Sequence, residues 1–166
     1  VPKKHIQLMM QTKNMSHYPL DLYYDDVKIK SKKEENKFDY LNYEAIVEVE
    51  KITGLSFRGT VNVSWFDHAI GKGIRKGSLD GNRINKATNA LEHASDLKDF
   101  HKYYMNHRLE LVHYEDDDKF FVNGDSTHRT LFAKLTACPY VKARIHVKRL
   151  NSQKLDAYNE YQKQSD

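Results

Sequence analysis

The chain has 166 residues, 39% hydrophobic and 30% charged, which suits one domain with a core and excludes a disordered tail. Its single cysteine, Cys138, excludes an intramolecular disulfide and a cysteine-based zinc cluster; it is expected as buried filler in a reducing, cytoplasmic setting. The net charge of +4 is uneven: Lys and Arg outnumber Asp and Glu eight to five over residues 61–108 and eight to three over 129–166, but are outnumbered six to one over 109–128. A basic surface interrupted by one acidic loop is therefore expected, of a kind that attracts a polyanion and also occurs as ordinary solvated surface. No run approaches the roughly 18 apolar residues of a membrane span, and Val1-Pro2-Lys3-Lys4 leads into too short an apolar stretch for a signal peptide, so a soluble protein with no membrane partner is expected.

In chain order, residues 1–59 are polar and irregular, with Pro19, the Tyr23-Tyr24-Asp25-Asp26 cluster and a charged block from Lys28 to Lys37. They read as an N-terminal extension or arm able to engage a protein partner or a second copy of the chain, with the apolar stripe of its one helix docked on the main domain. Within it, Tyr43, Ile46, Val47, Val49 and Ile52 recur at near-helical spacing before Gly54, which predicts one helix with a glycine stop. Val61, Val63 and Trp65 alternate with Asn62 and Ser64 and predict a strand. Gly71 to Gly77 is a charged, glycine-rich connection that reads equally as a mobile solvated loop or as one in which Lys72 and Arg75 touch a ligand or DNA.

Residues from Arg83 to about Tyr104 predict a helix with a stripe of Ala87, Leu91, Ala94, Leu97 and Phe100. Leu109 to Tyr114 and Lys119 to Val122, joined by Glu115-Asp116-Asp117-Asp118, predict a β-hairpin. A short helix carrying Leu131, Phe132 and Leu135 follows, ending before Pro139. Then Val141, Ala143, Ile145 and Val147 alternate with Tyr140, Lys142, Arg144 and His146, a strand with one apolar and one basic face. On that basic face Lys142 and Arg144 are candidate contacts for a nucleic-acid backbone. Residues 151–166 predict a polar C-terminal helix.

The segment with most chemical content is Gly124-Asp125-Ser126-Thr127-His128-Arg129-Thr130, set between a strand and a helix. Free N–H groups and the positive dipole at a helix start favour phosphate, and glycine lets the backbone approach it. Ser126 or Thr127 can cap the helix or donate to a phosphate oxygen, Arg129 offers a planar fork of donors, and His128 can donate or exchange a proton near neutral pH. The same residues also fit a plain capped helix with an exposed first turn. Asp125 is the loop's candidate ligand for Mg²⁺ or Mn²⁺, with Asp116, Asp117 and Asp118 as a second acidic group that fits solvated turn surface equally well. His93, His101, His107 and His113 make no metal-binding pattern and are expected at the surface or partly buried.

A strand, Gly-Asp-x-x-His-Arg-Thr, an apolar helix, a turn with proline and an alternating strand together resemble the ParB/sulfiredoxin-like superfamily, and the loop is also similar to that of proteins associated with DNA phosphorothioation. The resemblance spans roughly residues 60–150, with its specific core between Val122 and Val147. It implies an α+β domain, a small mixed β-sheet with flanking helices, carrying the N-terminal extension 1–59 and a C-terminal helical tail 151–166. It also implies that Gly124 to Thr130 bind the phosphate of a nucleotide or of DNA, with His128 and Arg129 as the catalytic pair of a metal-assisted phosphohydrolase, either NTPase or nuclease. The alternative is a non-catalytic nucleotide- or DNA-binding regulator, or a protein inhibitor, of phage or mobile-element origin. Thr127 stands where sulfiredoxins carry their catalytic cysteine, so sulfiredoxin chemistry is not expected. Gly81-Asn82-Arg83-Ile84-Asn85 echoes the second nucleotide motif of ParB partition proteins loosely, which makes Arg83 a further candidate ligand contact.

Overall fold

The computed structural model describes residues 12–17, 19, 21–30, 38–55, 58–76 and 79–165. Val1 to Lys4, the charged block after Lys30, and Gly77 lie outside the described residues. Strand β8 (Tyr140–Leu150) organises the fold, because its strict alternation buries Val141, Ala143, Ile145 and Val147 and leaves Lys142 and Arg144 exposed. It pairs in parallel with β6 (Leu109–Tyr114), which forms the expected hairpin with β7 (Lys119–Val122). The other edge of β8 is covered antiparallel by β4 (Asn42–Glu48) and, further along, by β1 (Tyr24–Asp26). β5 (Ile52–Gly54) adds in parallel to β7, which completes a mixed six-stranded sheet. β2 (Lys28–Lys30) and β3 (Phe38–Tyr40) form a separate two-stranded ribbon.

One face of the sheet carries the core. Helices α1 (Trp65–Ile70), α2 (Gly81–His93), α3 (Leu97–Tyr104) and α4 (Thr127–Leu135) bury Trp65, Leu91, Phe100 and Leu131 in one cluster with Leu111, Ile145 and Val147 of the strands. The opposite face holds a small aromatic group of Tyr114, Phe121 and Tyr24, with Tyr24 meeting Tyr114 edge-on at 4.9 Å. The C-terminal helix α5 (Ser152–Ser165) forms as expected and is tied to β1 by Lys154 on Asp25 at 2.6 Å and to the turn just before β1 by the Tyr158–Tyr23 ring contact. Among the described residues no helix is long and apolar enough to cross a membrane.

Three sequence expectations give way. Residues 42–48 form a strand instead of a helix: seven of them pair with β8, and the apolar residues read as one stripe split, with Val47 buried but Ile46 62% exposed. Pairing with a long, well-patterned neighbour outweighs local periodicity. Gly54 is accordingly no helix stop; it lies in β5, where a Cβ would come within 2.8 Å of the Phe121 ring. Residues 61–63 turn instead of extending, with Asn62 at φ +64°, and Ser64 caps α1 by accepting the Asp67 N–H at 3.0 Å. The helix expected over 83–104 is two, because Asp96 accepts the Asp99 N–H at 2.8 Å while Asp99 accepts the Ser95 N–H at 3.1 Å, a reciprocal cap that starts a new helix.

The N-terminal segment is also less of an arm than its composition indicates. Strands β1, β4 and β5 belong to the main sheet, and Met15, 2% exposed, sits in the core with its N–H donating to Val63 O at 3.0 Å. The backbone expected to reach a partner is, over these residues, paired within its own domain.

Candidate phosphate-binding site

The loop forms where β7 leaves the sheet. Asn123 N–H donates to Glu110 O at 2.8 Å, and Gly124 turns the chain at φ +74°, a left-handed conformation that favours glycine. Ser126 occupies the N-cap position of α4 but makes no capping bond. Its buried Oγ accepts the Glu110 N–H across the hairpin at 2.7 Å instead. The residue best suited to cap the helix is thus spent holding the loop to β6, and the first N–H groups of α4 have no side-chain cap.

His128 is 5% exposed, and its Nε2 accepts the backbone N–H of Asp80 at 3.0 Å. An imidazole whose Nε2 accepts must carry its proton on Nδ1, so the ring is neutral, with a buried Nδ1–H. Burial, and then the nearby Arg83 guanidinium, push its pKa below the ordinary histidine value. Asp80 itself caps α2, accepting the Asn82 N–H at 2.8 Å, which fixes Arg83 on the first turn of that helix beside the loop.

Among the described residues, His128 Nδ1 has no hydrogen-bond partner, nor do Thr127 Oγ1, Thr130 Oγ1 and one guanidinium nitrogen of Arg129, Nη1. Thr127 and Thr130 are 1% and 0% exposed. Orphaned polar atoms of this kind cost about 1–3 kcal/mol each, and four of them within four consecutive residues are a cost that a polar ligand would offset. All four of these groups can donate to it as they stand, and the site has two arginines, Arg83 and Arg129, both close enough to Tyr104 to oppose the upward shift that burial gives its phenol. The arrangement matches an anion rich in acceptor oxygens.

No protein-family model, curated protein or solved structure matches this chain. The site therefore stands on its own geometry.

The structure brings together Gly124, Ser126, Thr127, His128, Arg129 and Thr130, and it adds Arg83. Asp125 lies at the exposed tip of the loop and is its only carboxylate. Among the described residues no group of three His, Cys, Asp or Glu side chains is arranged to hold a metal ion, so Mg²⁺ or Mn²⁺ at Asp125 would take most of its ligands from phosphate and water. The acidic turn is engaged elsewhere: Asp118 pairs with Lys51 at 2.7 Å and His113 at 2.9 Å, and Asp116 accepts the Leu150 N–H.

Lys142 and Arg144 lie on the sheet face opposite α4, and Arg144 stands between Glu44 of β4 and Glu110 of β6 in the strand register. The basic stripe is thus interleaved with acid and does not join the loop. Lys72 N–H closes on Asp67 O at the end of α1, and Arg75 follows in the same exposed connection. The sequence gives no local sign of Asp80, 48 residues from its partner, or of Arg58, whose charge also reaches His128.

Two consequences are measurable. Thr127→Val and Thr130→Val each remove a buried, unpaired hydroxyl with little change of shape, so in ligand-free protein each is expected to raise stability by about 1 kcal/mol in urea denaturation. A loss of similar size would mean that the hydroxyl is paired. His68, His101 and His128 all have pKa values lowered by burial from the ordinary 6.5, so the unfolded chain binds more protons below that value. Their contribution to stability is complete above pH 6.5 and lost as pH falls through it. Melting temperature should therefore be nearly flat from pH 7 to 8 and drop steadily below 6.5; an unchanged melting temperature at pH 5.5 would contradict neutral buried imidazoles.

Proposed function

We propose that this protein binds the phosphate of a nucleotide or nucleic acid at the start of α4, as a non-catalytic binding module in which His128 is a fixed donor. The observation carrying this reading is the run of unpartnered buried polar atoms from Thr127 to Thr130 at an uncapped helix N-terminus. A tetrahedral anion offers acceptors to the Thr127 and Thr130 hydroxyls, the His128 Nδ1–H and the Arg129 guanidinium together, and Arg83 adds charge at the rim. The resemblance of Gly124 to Thr130 to the loop of ParB/sulfiredoxin-like proteins supports the same ligand class.

The state of His128 favours binding over its use as a general base. Its one lone pair already accepts the Asp80 N–H, so taking a proton from water would break that bond and release the start of α2. A phosphohydrolase, NTPase or nuclease, built on this loop would need its base from another group. No step is assigned to a metal, for which Asp125 is the loop's single carboxylate.

The test is calorimetric titration with a panel of nucleoside mono-, di- and triphosphates and with short single- and double-stranded DNA, at two salt concentrations, alongside assays for nucleotide and DNA hydrolysis with Mg²⁺ and Mn²⁺. Saturable binding with no turnover is expected, together with retained affinity between pH 6.5 and 8, because the donor imidazole is already neutral. Absence of binding across the panel overturns the reading. Turnover abolished by His128→Ala would replace the binding module with the enzyme.

A further inference from the structure

At the other end of α4, about 10 Å along the helix from the loop, a separate cavity of about 500 Å³ opens between α1, α4 and the start of β8. Its inner wall is apolar, formed by Val49, the Trp65 ring, Cys138 and Pro139. Lys134 projects into it from α4: its Nζ lies 5.3 Å from the centre of the Trp65 ring and donates a hydrogen bond to Glu50 O at 3.4 Å. An ammonium so placed, on a half-buried side chain, has exchanged part of its water for one long bond and a ring face, and partial burial shifts the balance toward the neutral amine. Burial pushes its pKa down to about 8, against the pull of Glu50.

The rim decides which ligand suits this amine. Glu48 and Glu50 line the mouth with Lys13, whose Nζ is 3.6 Å from Glu50, so two exposed carboxylates face one exposed cation. That balance repels an anion approaching the amine and leaves a neutral molecule unopposed. The Cys138 thiol does not compete as nucleophile: it is 6% exposed, donates to Tyr140 O at 3.3 Å, and has its pKa raised by burial.

We propose that this cavity takes a small neutral aldehyde or ketone with an apolar body and holds it as a reversible imine on Lys134. The Nζ lone pair forms the bond to the carbonyl carbon, the C=O π pair moves to oxygen, and proton transfer through solvent at the open mouth gives the carbinolamine. Loss of water then forms C=N, so one amine and one carbonyl yield one imine and one water, and hydrolysis reverses the step. The apolar wall holds the body of the ligand and limits access of water to the imine.

The protein carries a single tryptophan, Trp65, which lines this cavity, so quenching of its fluorescence reads a ligand bound there. With benzaldehyde as probe, saturable quenching is expected. Trapping with cyanoborohydride and peptide mapping should show Lys134 modified roughly tenfold or more faster than exposed Lys142 at pH 7.5, since the neutral fraction at a pKa near 8 far exceeds that of an ordinary lysine. The labelling rate should level off above about pH 8, and Lys134→Arg, which keeps the charge, should abolish both the saturable quenching and the modification at this position. Should that variant not fold, the pH profile and site map of the unaltered protein decide alone. Labelling of Lys134 no faster than Lys142, labelling that does not saturate with benzaldehyde, or stronger protection by benzoate than by the neutral benzyl alcohol would each overturn the proposal. Nucleotide titration of the same sample reads the loop separately.

Discussion

Arg129→Ala is expected to weaken nucleotide-phosphate binding by roughly 10- to 150-fold, the equivalent of about 1.5–3 kcal/mol for hydrogen bonds to a charged group. Arg129 follows His128 in the first turn of α4, and its buried Nη1 has no hydrogen-bond partner, so a phosphate oxygen would satisfy a donor that the protein leaves unpaired. The variant also removes a charge, so the salt dependence of affinity should become shallower, as it does when one phosphate contact is lost. The matched control is Arg144→Ala. Arg144 is equally basic but stands on the far face of the sheet between Glu44 and Glu110, and its loss should change affinity by less than about twofold. Calorimetry on both variants checks the pair of outcomes. Equal losses would move the binding surface to the sheet and remove the loop from it.

Leu131→Ala should destabilise the protein by about 2–5 kcal/mol, read as a lowered urea midpoint at unchanged slope. Leu131 is 0% exposed and lies in the middle of α4, in the same buried cluster as Leu111 and Ile145 of the sheet and Phe100 of α3. Truncation leaves a void that these rigid neighbours cannot close, which puts the cost above simple transfer of the lost methyl groups. Because α4 carries the loop at its first residue, the effect ties the core to the site: an α4 that no longer seats firmly holds Thr127 to Thr130 less well. Lys142→Ala, at an exposed strand position, should stay within about 0.5 kcal/mol. A shift for Leu131→Ala as small as that would show that α4 is not anchored through this side chain.

The C-terminal half was legible because its signals are local and agree with one another. The alternation from Tyr140 to Val147, the acidic turn between two apolar runs and the Gly124 turn each specify one conformation at short range, and β6, β7, α4 and β8 follow. The N-terminal half was not. Tyr43 to Ile52 has helical spacing, and only the seven-residue pairing with β8, about 100 positions away, makes Asn42–Glu48 a strand. Ser64 and Asp96 carried helix-start signals that continuous apolar patterns on either side obscured; each became decisive through a hydrogen bond from a backbone N–H three residues on.

The same division runs through the loop from Gly124 to Thr130. The sequence by itself determined its composition, its place between strand and helix, and the glycine that turns it, all of which depend on neighbours in the chain. Tertiary structure alone decided what those residues do. It drew Ser126 away from capping toward Glu110, and it brought the Asp80 N–H onto His128 from 48 residues away, fixing a neutral donor where the sequence allowed an acid or a base. It also placed Arg83 beside the loop while turning Lys142 and Arg144 to the opposite face. Burial and distant hydrogen bonds set protonation and orientation, and neither is written in local order.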